Sequence, residues 1–186
     1  MSPAGLDRKK KNLGAGRRLR LVSVEGWEYV ERINASGVVA IVAVTAANEL
    51  ILTEQFRRSV GGPVIDLPAG LVGDLKGSRN EELATAARRE LHEETGYDAR
   101  QFKLLGQSPT SPGLTAETVA FFRAVGLKKV GDGGGVDGEK IQVHSVKLTA
   151  ADAWLRRRVR SGAQIDCKTY VGLYFASCKP RRHGRR

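Results

Sequence analysis

Residues 78–97 read SRNEELATAARRELHEETGY, and their composition predicts a helix with an acidic stripe. Ser78 followed three residues later by Glu81 has the pattern of a capping box. The run after it is rich in Ala, Leu, Glu and Arg, and Gly96 is a natural stop. At about 100° per residue, Glu90, Glu93 and Glu94 share roughly a third of the circumference, beside an arc of Ala84, Ala87, Leu91 and Thr95 suited to a core. Carboxylates at i, i+3 and i+4 repel on a free helix, so the pattern asks for a compensating positive charge. Hard oxygen donors of this kind suit Mg²⁺ or Mn²⁺. Taken alone, such a cluster also reads as a solvated acidic face.

Working outward, the chain of 186 residues is long enough for one domain with a full core and an extension. Its start, MSPAGLDRKKKN, lacks an apolar signal segment, and no apolar run reaches membrane-spanning length, so a soluble, cytoplasmic protein is expected. Cys167 and Cys178 lie in what reads as one helix, too far apart along its axis to pair. With no CxxC or Cys/His cluster, neither a disulfide nor zinc is expected. The net charge of +11 is confined to the ends. Residues 1–20 hold seven Lys/Arg against one Asp, residues 179–186 hold five and no acid, and the remainder balances. Basic tails of this kind are usually solubilising, and would give at most weak contact with nucleic acid or another polyanion.

Residues 1–17, with a lysine run and two glycines, read as a flexible basic tail. Residues 18–36 begin RLRLVSVEGWEYVERI, which alternates on both sides of Glu25-Gly26 as a small β extension would; Trp27 and Tyr29 share one face of its second strand. GVVAIVAVT at 37–45 is a β-branched run suited to a strand buried on both faces, and ELILTEQF at 49–56 returns from a turn at Ala47-Asn48. That strand ends in Arg57-Arg58, one of which can fork onto a diphosphate. PVIDLP at 63–68 is extended and delivers Ala69-Gly70 to the acidic helix. Beyond the helix, strands are expected at 102–105, 117–125 and 141–148, a flexible loop at GDGGGVDG, 131–138, and helices at 149–159 and 166–177 capped by Thr149 and Asp166. The order of elements implies an α+β fold, a mixed sheet with helices packed against it.

Glu81, seven residues, then Arg89-Glu90-Leu91-His92-Glu93-Glu94-Thr95-Gly96-Tyr97 resembles the Nudix box, Gx5Ex7REUxEExGU. The REUxEExGU half is matched throughout, with Tyr97 as its last bulky residue. The leading glycine departs: six residues before Glu81 stands Leu75, and its counterpart is Gly70, which lengthens the loop over 70–79. The resemblance covers residues 37–178. TEQFR at 53–57, LPAG at 67–70 and SPGLTAE at 111–117 are similar to motifs of the branch that hydrolyses ADP-ribose and other nucleoside diphosphate sugars, as are EKIQVHSV at 139–146 and IDCKT at 165–169.

The resemblance implies the Nudix fold, an α/β/α sandwich around a mixed sheet, with an N-terminal extension often exchanged across a homodimer and WEYVER at 27–32 as its strand. It implies that Glu90, Glu93 and Glu94 hold divalent metal with the Ala69 carbonyl, that Arg89 orients these acids, and that Glu81 supports them. Arg57 would contact the diphosphate or distal sugar, Trp27 would stack on the base, and Glu117 would serve the site from a neighbouring strand. Glu139, or second Asp137, would act as general base from the glycine-rich loop. Two other functions stay open at this point. They are hydrolysis of RNA 5′ ends, which would employ the basic tails, and a nucleotide-sensing Nudix-fold binding module, which would not need intact box acids.

Overall fold

The central strand of the computed structural model, β4 (Gly37–Ala43), explains the layering. Side chains of a strand alternate in direction. Val38, Ala40 and Val42 enter one buried cluster, and Val39, Ile41 and Ala43 enter another on the opposite face. An unbroken apolar run therefore requires cover on both sides. The structure describes residues 9–74, 80–136 and 138–178.

Two four-stranded mixed sheets carry the domain. One has the order β7 (Ala69–Val72), β4, β9 (Thr118–Lys129) and β8 (Tyr97–Pro109), with β4 and β9 parallel. The other has the order β10 (Ile141–Lys147), β5 (Glu49–Arg57), β6 (Gly62–Asp66) and the short β11 (Gln164–Ile165), with β6 and β11 parallel. The acidic helix α1 (Leu83–Thr95) covers one side through Ala86, Ala87 and Leu91. On the other side, α2 (Ala151–Arg160) contributes Leu155, and α3 (Cys167–Ser177) contributes Val171 and Phe175. This is the expected α+β sandwich.

The N-terminal extension is a separate three-stranded sheet, β1 (Lys10–Ala15), β2 (Leu19–Val24) and β3 (Trp27–Arg32). The hairpin over Glu25-Gly26 is as expected, both residues having positive φ, 53° and 89°, as a tight two-residue turn demands. The flexible basic tail expected over 1–17 is corrected in its second half. Lys10–Ala15 pairs with β2, and Lys10 is satisfied by Glu31 at 2.8 Å, which also binds Arg20. The lysines that looked like a disordered run occupy a sheet edge, where exposed charge discourages further pairing. Residues 1–8 and 179–186 lie outside the described residues.

Three other boundaries differ from expectation. Helix α1 starts after Glu82, which makes no side-chain cap, and so begins later than the capping pattern of Ser78 and Glu81 predicts. Glu81 sits before the helix and Ser78 lies outside the described residues. The strand expected at 102–105 extends over Tyr97–Pro109, because pairing with β9 continues past residues whose own pattern is weak. Thr149 falls inside a 3₁₀ turn, Leu148–Ala150, and caps nothing. Asp166 does cap α3, accepting from the Lys168 N–H at 2.9 Å. Both cysteines are free, and among the described residues no helix is long and apolar enough to cross a membrane.

Candidate active site

The core face of α1 fixes where its carboxylates go. With Ala86, Ala87 and Leu91 inward, the flank bearing Glu90 and Glu94 is turned against β7, and both acids are more than nine-tenths buried. Glu94 Oε2 accepts the Ala69 N–H at 3.0 Å. Glu90 packs so closely on Gly70 that a Cβ there would lie 1.9 Å from its carboxyl carbon. Glycine at 70 is therefore required by the approach of an acid.

Arg89 organises the remaining acids. Its guanidinium donates to both Glu81 oxygens at 3.1 and 3.2 Å, to Glu90 at 2.7 Å, to Glu93 at 3.3 Å, to Asp74 at 3.4 Å and to the Leu71 carbonyl at 2.9 Å. One planar fork thus serves four carboxylates. Glu81, displaced from its expected capping position, also accepts the Gly73 N–H at 3.0 Å. Burial raises the Glu81 carboxyl, but Arg89 and this amide outweigh it and hold it below the usual range.

Burial acts the other way deeper in the site. It pushes Glu90 up to about 7, against the pull of Arg89, and Glu94 up to about 8, against its bond from Ala69. Asp66, almost wholly enclosed, rises to about 6 by the same cause, opposed by Lys168. A carboxyl raised in the fold favours the protonated native state, so its contribution is present below the unfolded value and lost as pH rises through the folded one. Metal-free protein is therefore expected to lose melting temperature between pH 5 and 8, and saturating Mg²⁺ to restore most of it at pH 8. Melts of chelator-treated protein with and without Mg²⁺ check this; a melting temperature that stays flat across the range contradicts it.

These acids form one wall of a cleft of about 910 Å³. Ala69, Arg89, Glu90, Glu93 and Glu94 line it, and so do Arg57, Glu117 and Glu139, which the sequence placed there from three distant segments. Arg18 and Arg32 of the extension also line it, and were not foreseen. Arg32 is held by Glu117 at 2.5 Å, a partnership between residues 85 apart that no local pattern reveals. Glu117 thus enters the site as the anchor of an arginine.

Trp27 is corrected. It begins β3, whereas Arg32 ends it, and a strand of six residues separates the two by about 17 Å. The indole is 63% exposed and does not line the cleft of its own chain. The glycine-rich loop is also tighter than its composition suggests. Val130 and Gly131 donate to the Gly96 carbonyl, Gly134 to Glu94, Gly135 to Glu93, and Lys129 Nζ to Thr95. Those carbonyls, at the C-terminal end of α1, lack helical partners, and the loop supplies them. Gly133, at φ 73°, lies so near the Thr95 backbone that a Cβ would approach it to 2.4 Å. Glu139 is carried beyond this docked base; Asp137 lies outside the described residues.

Among the described residues, no three acids converge closely enough to enclose an ion as they stand. Glu90 is drawn to Arg89 and Glu94 to Ala69. The donor chemistry still fits a hard divalent cation: two buried carboxylates, a third beside them on Glu93, and Ala69 of the adjoining strand lining the same cleft.

A family model described as NUDIX domain matches residues 35–163. A methanol dehydrogenase activator of Bacillus methanolicus is 30% identical over 145 residues, 78% of this chain and 74% of that protein. An ADP-ribose pyrophosphatase of Bacillus subtilis is 32% identical over 149 residues, 80% and 76% of the two chains. A crystal structure of an ADP compounds hydrolase superposes with a TM-score of 0.64 at 20% identity, covering 79% of this chain and 80% of that one.

Proposed function

Because this chain belongs to the NUDIX family, we propose that its cleft hydrolyses the diphosphate bond of nucleoside diphosphate sugars, ADP-ribose being cut to AMP and ribose 5-phosphate. The observation that carries this reading is the pairing of walls in one cleft. Glu90, Glu93 and Glu94 stand on one side, and Arg18, Arg32 and Arg57 line the same space. A diphosphate presents both metal-binding oxygens and anionic oxygens for guanidinium, and fits between such walls.

Glu90, Glu93, Glu94 and the Ala69 carbonyl would hold Mg²⁺ or Mn²⁺. When bound, the cation neutralises phosphoryl oxygens and acidifies water. The protein's own groups do the rest. Arg57 fixes the diphosphate, Arg89 holds Glu90 and Glu93 in place, and Glu139 accepts the proton of the water whose oxygen attacks phosphorus as the bridging P–O bond breaks. Asp137 is the second candidate for that proton. The extension, with Leu13, Leu19, Leu21 and Trp27 exposed, would be covered in a homodimer, through which Trp27 would reach a base in the partner's cleft.

A panel of ADP-ribose, ADP-glucose, GDP-mannose, UDP-glucose and a capped RNA, assayed with Mg²⁺ and with Mn²⁺, tests the reading. Release of AMP from ADP-ribose, abolished by chelator, is the expected result. Turnover of the capped RNA alone would overturn the sugar assignment, and no turnover of any compound would favour a binding module. In the same assay Glu139→Gln is expected to lower kcat by about 100-fold or more, as for loss of a general base; a kcat like that of the parent passes the role to Asp137.

A further inference from the structure

The terminal helix α3 is far from α1 in sequence, yet it grips the segment that carries Ala69 and Gly70. Lys168 Nζ lies 3.0 Å from Asp66 Oδ2 and 2.8 Å from Asp166 Oδ2, its side chain largely buried. Asp66 turns its other oxygen to the Leu67 N–H at 2.8 Å. Thr169 Oγ1 donates to the Ile65 carbonyl at 3.2 Å, and the Asp166 N–H to the same carbonyl at 2.9 Å. Gly172 completes the grip: a Cβ there would come within 2.6 Å of the Leu67 side chain, so the helix backbone lies directly on that leucine. Two residues beyond Leu67, the Ala69 N–H meets Glu94, and Gly70 receives Glu90.

We propose that Lys168 is a positioning residue for divalent-cation binding: by tying Asp66 to Asp166, it holds residues 67–70 at the depth where Glu90, Glu94 and the Ala69 carbonyl can share an ion. This rests on the metal reading of Glu90 and Glu94 given above. A simple surface ion pair would not do the same work, because the ammonium is shared by two carboxylates on different elements, the end of β6 and the cap of α3. Partners that orient metal ligands from one layer out typically contribute ten- to a hundredfold to affinity.

The test is Mn²⁺ binding to the substrate-free full chain, followed by loss of the free-ion electron paramagnetic resonance signal, with thermal melts alongside. Lys168→Met is expected to weaken Mn²⁺ binding by roughly tenfold or more, and Lys168→Arg, which keeps the charge between the two acids, to recover much of it. The double variant Asp66→Asn/Lys168→Met removes the unpaired buried carboxylate while leaving an acceptor for the Leu67 N–H. It is expected to regain melting temperature over Lys168→Met but not Mn²⁺ affinity, and it carries the comparison should the single variant fail to fold. If affinity returns together with stability, Lys168 merely balances a charge and the proposal is overturned, as it is if Lys168→Met binds Mn²⁺ like the parent. A parent protein that binds no Mn²⁺ overturns the metal reading itself.

Discussion

Replacing Gly70 by alanine is expected to abolish turnover while leaving the fold almost unchanged. The added Cβ would sit 1.9 Å from the Glu90 carboxyl carbon and 2.1 and 2.2 Å from its oxygens. Those atoms are the end of a flexible side chain, so the carboxylate swings away rather than the backbone yielding. Gly70 has no left-handed φ to strain, and alanine lowers the entropy of the unfolded chain, which offsets by about 0.4–1 kcal/mol what the displaced glutamate loses. Activity should fall by about 100-fold or more, as for the loss of a group that orients or ligates the ion. The melting temperature should move little. Measured kcat/KM near that of the parent would show that Glu90 need not occupy the place it has beside Gly70. Gly133→Ala makes an instructive contrast, since its Cβ would meet backbone atoms of Thr95 and Gly96 that cannot swing aside.

Glu94→Gln separates function from stability in a second way. The carboxamide is nearly isosteric and can still accept the Ala69 N–H, so the local hydrogen bond survives. What disappears is a buried negative charge, and Mg²⁺-dependent release of AMP should fall by at least about 100-fold. In the metal-free protein the same change should stabilise. The Glu94 carboxyl is pushed up to about 8 by burial, with Glu90 and Asp66 adding repulsion, so its ionisation opposes folding as pH passes that value. Above pH 8 the variant should exceed the metal-free parent by an amount on the order of a few kcal/mol, and near pH 5 the two should converge. Denaturant melts at both pH values, with and without Mg²⁺, give the comparison. A variant that keeps full activity would falsify the metal-holding role, and one that is less stable than the metal-free parent at high pH would show that the charge is not what burial opposes. Such a gain in stability at the expense of activity is the usual mark of a strained functional group.

Several features could be read without coordinates because they depend on short-range chemistry. The period of the acidic helix put Glu90, Glu93 and Glu94 on one flank, Gly96 ended it in a left-handed cap at φ 67°, and the unbroken apolar run of β4 required cover on two faces. The motifs around the helix selected Ala69, Arg57, Glu117 and Glu139 from separate segments, and one cleft gathers them. Misreadings arose where a local preference lost to a partner distant in sequence. Glu81 had the spacing of a capping residue, but Arg89 offered it a charged fork and the Gly73 amide a further bond. The lysines near the N-terminus looked unstructured until β2 gave Lys10–Ala15 an edge to pair with and Glu31 paired with Lys10. The glycine-rich loop, permissive by composition, is docked because the end of α1 leaves carbonyls in need of donors.

The sequence by itself determined the acidic helix, the flank that Glu90, Glu93 and Glu94 share on it and the buried central strand, since periodicity and spacing act within a few turns or a few residues. Only the tertiary structure decided that Arg18 and Arg32 reach the cleft while Trp27 of the same chain does not, and that Lys168 braces the segment opposite Glu94. Those outcomes depend on which ends of strands and helices meet, a matter of chain topology and close packing that no single segment encodes.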